Sequence, residues 1–85
     1  MERVVIDCGT IRTKEAFHAA LSQALHFPAW YGGNLDALHD ALTEIDEDIQ
    51  LTLLHFDDMK NCRRGFLRVF TDAVEENLHL TVNFE

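Results

Sequence analysis

The alternation of strand-like and helix-like segments is the feature that most restricts how this chain can fold. Residues 3–8 (RVVIDC) form a β-branched run closed by Gly9, residues 51–56 (LTLLHF) are almost continuously apolar, and residues 78–84 (LHLTVNF) alternate. These patterns predict a first strand, a central strand covered on both faces and an edge strand. Because parallel neighbours require long crossovers such as the intervening helix-length segments, we predict an α/β fold with a three-stranded parallel sheet.

Two helices are predicted between the first and second strands. One follows Thr13 as N-cap and runs to about His26, since Pro28 cannot easily continue a helix. Its apolar residues recur at helical spacing at Phe17, Leu21, Ala24 and Leu25. The other follows Asn34 as N-cap, and its predicted buried stripe is Leu35, Leu38, Leu42 and Ile45.

A further helix is predicted between the second and third strands. Asp57 or Asp58 is its candidate N-cap, and Gly65 is a candidate point of interruption. Its predicted inner side consists of Phe66, Leu67, Phe70, Ala73 and Val74. The expected architecture is one layer of sheet and one layer of helices.

Composition limits both the size of the fold and the class of partner. With 85 residues and 47% hydrophobic content, the chain is expected to be one domain, residues 1–85, without a deep cofactor cleft. Its formal net charge of −8 would repel nucleic acids and anionic membranes, so we expect neutral or basic partners. No apolar run approaches a membrane span and no leader precedes the first strand, so a cytoplasmic location is expected, with Cys8 and Cys62 as buried, reduced thiols.

The charge is unevenly distributed along the chain. Residues 34–48 contain no Lys or Arg, and their acidic residues are Asp36, Asp40, Glu44, Asp46, Glu47 and Asp48. The counterweight is the basic group Lys60, Arg63, Arg64 and Arg68. These cations could pair with acidic residues elsewhere or solvate their own helix. Solvation is favoured, because four cations in an acidic protein make a poor nucleic-acid site.

The second helix presents polar residues on its outward face, where helical spacing aligns Asp36, His39, Asp40 and Thr43. The helix dipole favours Asp36 in the first turn, but Asp40, four residues later, repels it. The spacing is compatible with an ordinary solvated face and with a binding surface. The preceding Trp30 and Tyr31 favour a protein-binding surface, because such rings are the amphipathic anchors of interfaces.

The loop before this helix also has two interpretations. Tyr31 could pack inward while its hydroxyl finds a partner, so Trp30 is the stronger interface candidate. Gly32 and Gly33 would let their own backbone approach a partner closely or adopt positive φ. The other interpretation is a plain turn.

A catalytic or metal-binding role is less favoured. Asp36, His39 and Asp40 are the available acid–base or ligand set, but their helix face is expected to be convex. The other histidines lie in separate elements, and twin-histidine zinc motifs are absent from the sequence. We predict no catalytic residue, no metal site and no cofactor, and we interpret His18 and His55 as ordinary half-buried histidines.

The segment FPAWYGGNLDALHDALT closely resembles the YYGxNLDALWDxL signature of the barstar family, intracellular inhibitors of secreted barnase-type ribonucleases. The order of elements, with FTDA in the last helix, is similar over nearly the whole chain. The resemblance implies a barstar-like fold, with a three-stranded parallel sheet on three to four helices, and a non-catalytic protein that occludes a nuclease active site. The partner-binding residues that it implies are Trp30 (a tyrosine in the family), Tyr31, Gly32, Asn34, Leu35, Asp36, Asp40, Thr43 and Asp72 (a glutamate in the family).

The mechanism implied by this resemblance is phosphate mimicry. A ribonuclease holds the RNA phosphate with basic side chains, so the Asp40 carboxylate would occupy that pocket, reinforced by Asp36 and Asp72. His39 stands where the family often has tryptophan, and Gly33 replaces an acidic residue. His39 could retune affinity or make it fall on acidification, because a charged imidazole offsets nearby carboxylates. A barstar-like module that binds another basic protein is the alternative, and the free chain is expected to be a monomer.

Overall fold

The computed structural model describes residues 1–59 and 63–85, which form three strands and three helices. In chain order these are β1 (Glu2–Asp7), α1 (Lys14–Leu25), α2 (Leu35–Thr43), β2 (Ile49–Leu54), α3 (Arg63–Glu76) and β3 (Leu80–Phe84). Short 3-10 turns, Cys8–Thr10 and Phe56–Asp58, follow β1 and β2. The predicted α/β alternation is confirmed.

The strands form one parallel sheet in the order β1-β2-β3. Val4 of β1 lies opposite Leu51 of β2, which lies opposite Val82 of β3. The three-stranded parallel sheet, the central second strand and the edge position of the third strand are therefore confirmed. The first crossover contains α1 and α2, and the second contains α3, as parallel neighbours require.

The core lies on one face of this sheet. Its fully buried side chains include Phe17, Leu21, Leu38, Leu42, Leu51, Leu53, Phe66 and Phe70. The β2 residues that alternate with the buried ones, Gln50, Thr52 and Leu54, are only half-buried. The prediction that the central strand is covered on both faces is wrong, because the buried residues of all three helices join a single cluster on the Leu51 side.

The first two helices begin where local signals predict. Thr13 Oγ1 accepts a hydrogen bond from the Ala16 amide at 3.0 Å, and Asn34 Oδ1 accepts one from the Ala37 amide at 2.8 Å. Both predicted N-caps are confirmed. The C-cap of α1 is His26, whose φ of 58° is the left-handed conformation that often ends a helix.

The packing of α2 on α3 explains Gly65, which does not interrupt α3. A Cβ at Gly65 would lie 2.9 Å from Leu35 Cδ1, so the glycine permits a close approach of the two helices. Leu35 and Leu67 were predicted to be buried, but they are 39% and 40% exposed. Leu35 is the first residue of its helix, and Leu67 points roughly 100° away from the buried Phe66.

The start of α3 differs from the prediction. Asp57 and Asp58 lie in the preceding 3-10 turn, and Asp57 accepts a hydrogen bond from Arg63 Nη1 at 3.0 Å. Arg63 is therefore paired, contrary to the favoured interpretation that the basic group is only solvated. Lys60 lies outside the described residues. The remaining members, Arg64 and Arg68, are exposed.

Two further predictions concern the cysteines and membrane spans. Cys8 is fully buried in the core, as predicted, whereas Cys62 lies outside the described residues. Among the helices that the structure describes, none is long and apolar enough to cross a membrane.

Candidate functional site

The loop between α1 and α2 is anchored by Tyr31. Its ring is half-buried against Phe27, with centroids 4.9 Å apart, and its hydroxyl lies 2.6 Å from Nδ1 of the buried His18. Burial raises the pKa of Tyr31 to about 12 and lowers the pKa of His18. At neutral pH both groups are therefore uncharged, and they share one hydrogen bond. Tyr31 thus packs inward and its hydroxyl has a partner, which agrees with the interpretation that made Trp30 the stronger interface candidate.

The same anchoring leaves Trp30 on the outside. Trp30 is 78% exposed, a large fraction for an aromatic side chain, whereas the adjacent Tyr31 is half-buried. The Tyr31 amide donates to the Pro28 carbonyl at 3.0 Å, and Gly33 adopts a φ of +67°, which glycine tolerates best. The loop therefore turns tightly, with Gly32 and Gly33 between the exposed indole and the Asn34 cap.

The outward face of α2 presents two acidic side chains to solvent. Asp36 and Asp40 are exposed, and the Asp40 side chain reaches 81%. Thr43 is half-buried and donates its hydroxyl proton to the backbone carbonyls of His39 and Asp40, at 3.0 and 3.1 Å. The Thr43 hydroxyl can therefore accept a hydrogen bond from a partner, but its own proton is already donated.

His39 does not project with its neighbours. Its Nε2–H donates to Glu76 on α3, while its Nδ1 lies 3.8 Å from Asp40 Oδ1. The hydrogen bond to Glu76 raises the pKa of His39, and the negative charges of Glu76, Asp40 and Asp72 raise it further. The prediction that the four residues of this stripe project outward together is wrong for His39, because α3 supplies a carboxylate that draws the ring toward that helix.

Asp72 and Glu76 bring a second helix to this surface. Asp72 is exposed on α3 and acts electrostatically on His39, so the structure brings it near the α2 stripe. Glu76 was not predicted from the sequence, although its position one turn after Asp72 is a signal that could have found it. The acidic surface, as we call it here, comprises Trp30, Asp36, Asp40, Asp72 and Glu76.

A buried asparagine holds the end of α2 in place beneath this surface. Asn77 Nδ2 donates to the Leu42 and Ile45 carbonyls, both at 2.9 Å, and its Oδ1 accepts from the His79 amide at 3.0 Å. Carbonyls at a helix end lack partners within the helix, so this side chain satisfies groups that burial would otherwise penalise. Asn77 has no sequence signal beyond its position after a helix.

The candidate catalytic or metal-ligating set does not converge. Asp36 lines a cavity beside His18, Asp40 lines a different cavity beside Trp30, and His39 turns to α3. Among the described residues, no three His, Cys, Asp or Glu side chains are placed to hold a metal ion. The arrangement favours contact with a partner over chemistry at one point.

The predictions for His18 and His55 have different outcomes. His18 is buried, and its hydrogen bond to Tyr31 gives it a structural role. His55 is exposed, with a φ of 56°, and its Nδ1 lies 2.9 Å from Asp7 Oδ1. The half-buried interpretation is wrong for His55, because the residue follows the end of β2, beyond the cover of the helices.

Comparisons with known proteins extend the similarity over the whole chain. A family model described as Barstar (barnase inhibitor) matches residues 1–85. A protein of Bacillus subtilis (strain 168) named "Putative ribonuclease inhibitor YrdF" is 40% identical over 77 residues, which cover 89% of this chain and 80% of that protein. The similarity is therefore not restricted to the aromatic loop and α2.

Proposed function

The chain belongs to the barstar family, and from this membership we propose that it is an intracellular protein inhibitor of a secreted, barnase-type microbial ribonuclease. The protein is not an enzyme; it blocks the nuclease active site stoichiometrically as a bound partner. The single observation that best supports this role is the Asp40 side chain, 81% exposed beside an exposed tryptophan.

Asp40 acts as the phosphate mimic. A ribonuclease must present a positive pocket to its substrate, and an exposed carboxylate can enter that pocket and accept charge-assisted hydrogen bonds. Asp36, one turn earlier on α2, and Asp72 on α3 add negative charge at the periphery of this contact. The three carboxylates reach the partner from two helices whose relative position is held by the core.

The loop and the start of α2 supply the apolar part of the contact. Trp30 packs against the nuclease as the exposed aromatic anchor, and Leu35, 39% exposed, adds apolar area. Tyr31 and Asn34 position these groups through the His18 hydrogen bond and the N-cap. The proposed partner-binding residues are thus Trp30, Tyr31, Gly32, Asn34, Leu35, Asp36, His39, Asp40, Thr43 and Asp72.

The overall charge of −8 assists the encounter with a basic nuclease. Complementary charge accelerates association, and salt screens the effect; the barnase–barstar complex is itself the standard example of this principle. The association rate should therefore fall as ionic strength rises, while the dissociation rate changes less.

Titration of the protein into a purified barnase-type ribonuclease, with RNA cleavage as the readout, tests the proposal. We expect inhibition that is complete at one equivalent. Asp40→Ala should weaken it by at least about thirtyfold, the lower bound for truncating one member of a buried charge pair. Undiminished cleavage at excess inhibitor contradicts the proposal.

A second candidate function is binding of another basic protein without nuclease inhibition. The hydrogen bond between His39 and Glu76 supports this second candidate. It changes the binding surface at a position where the family often has tryptophan. A chain that leaves the nuclease active but binds a different basic protein through Asp40 would support it.

A further inference from the structure

A cavity of about 240 Å³ lies between the aromatic loop and α2. Trp30 and Tyr31 line it on the loop side, and Asp40 and Glu44 line it on the α2 side. One wall is therefore aromatic and the other contains two carboxylates. Its volume falls below the roughly 300 Å³ at which small-molecule pockets begin, so it suits a single side chain better than a cofactor.

Glu44 contributes the carboxylate that neither the spacing analysis nor the family resemblance assigned to the site. It is the exposed C-cap residue of α2, and its amide donates to the Asp40 carbonyl at 3.1 Å, one helical turn away. In the part of the chain that the structure describes, no Lys or Arg pairs with Asp40 or Glu44.

These two charges are unfavourable in the free protein. Carboxylates four residues apart on a helix repel each other, and the helix dipole disfavours negative charge near the C-terminus. The last turn of α2 contains no basic residue that would offset them. A cation placed between them would relieve both effects.

We propose that this cavity receives an arginine side chain of the target ribonuclease, held by Asp40 and Glu44 together. The inference rests on the proposed function and adds Glu44 to it as a specificity-determining residue. A guanidinium group fits the lining, because its planar face stacks on an indole while its edge donates to two carboxylates. A lysine ammonium would use the carboxylates but not the planar face of Trp30.

The inhibition constant of Glu44→Gln against the same barnase-type ribonuclease is the first test. The matched control is Glu75→Gln, which removes the same charge from an exposed position on α3 outside the cavity. At physiological salt we expect Glu44→Gln to weaken inhibition about tenfold more than the control, the scale of a hydrogen bond to a charged group. Equal effects would mean that Glu44 acts only through the long-range field, and would overturn the inference.

Double-mutant cycles that combine Glu44→Gln with Arg→Ala and Lys→Ala variants of the nuclease identify the occupant. Glu44→Gln should weaken inhibition much less against one Arg→Ala nuclease variant than against the unaltered nuclease. That difference is the coupling between Glu44 and the arginine. Coupling to a lysine, or to no arginine, overturns the inference.

The two proposals fail in different ways. If the unaltered protein does not inhibit the nuclease, both fall; if it inhibits and Asp40→Ala weakens it while Glu44→Gln matches Glu75→Gln, only the cavity assignment falls. Thermal unfolding of Glu44→Gln separates misfolding from lost contact. Removing charge from a helix C-terminus should leave stability unchanged or slightly higher.

Discussion

Two acidic residues at the ends of the sheet differ from those on α2 in whether a side chain of the fold bonds to them. At the sheet ends, Asp7 pairs with His55 and Asp48 with His79, at 2.9 and 2.8 Å. On α2, Asp36 has no ion pair among the described residues, and Asp40 has only His39 at 3.8 Å. The fold therefore supplies close side-chain partners to Asp7 and Asp48 and leaves the carboxylates of α2 largely open, where a basic partner can use them.

The largest expected difference between these regions is in inhibition. Asp40→Ala should weaken inhibition at least about thirtyfold, whereas Asp48→Asn, an equal loss of charge from the same acidic segment, should change it less than about threefold. Both inhibition constants are measured against the same nuclease at physiological salt. Similar losses of inhibition would show that binding depends on the total charge and not on the location of the carboxylate.

Asn77, which holds the end of α2, should matter for the stability of the fold rather than for contact with the nuclease. Asn77→Ala removes three hydrogen bonds, two to the Leu42 and Ile45 carbonyls and one from the His79 amide, so the free energy of unfolding should fall by about 2 kcal/mol or more. Urea denaturation measures this, with Asn83→Ala on the half-buried edge strand as control. A loss no greater than that of Asn83→Ala would mean that α2 does not depend on Asn77.

His39 links the two situations, since its imidazole contacts both the exposed Asp40 and Glu76. Because the pKa of His39 is raised, the ring becomes charged as pH falls through a value above 6.5. The charged ring offsets the Asp40 carboxylate, so inhibition should weaken by about fivefold or less. The fold responds with the opposite sign: the stability from His39 is complete below the unfolded pKa of about 6.5 and is lost as pH rises through the folded pKa.

His39→Gln is the control for both effects. Nuclease histidines titrate in the same range, so the informative quantity is the difference between the two inhibitors across pH. Identical pH profiles for His39→Gln and the unaltered protein would remove His39 from the mechanism.

The smallest expected effect belongs to the Asp7–His55 pair. Its hydrogen bond lowers the pKa of Asp7 and raises the pKa of His55. The resulting stability is present between pH values of about 3.8 and 6.5; it is lost as pH falls through the folded pKa of Asp7 or rises through that of His55. Melting temperatures of Asp7→Asn should differ most from those of the unaltered protein within this window, while inhibition stays the same.

Much of the fold was predictable because its signals are local. The N-caps at Thr13 and Asn34 and the helical spacing of Leu38 and Leu42 depend on residues within one or two turns. Gly65 was misread because a glycine inside a helix indicates either an interruption or a close contact, and only the approach of Leu35 distinguishes the two.

The residues alone specify a strand–helix alternation, a parallel sheet and an acidic stripe beside an aromatic loop, since each depends on short-range periodicity or connection length. They do not specify which carboxylates gain a side-chain partner within the fold. Asp7 and His55 are 48 residues apart, Asp48 and His79 are 31 apart, and His39 and Glu76 are 37 apart. Such pairs form only when the crossovers bring distant segments together, so the distinction between a carboxylate that serves the fold and one left for a partner arises from packing.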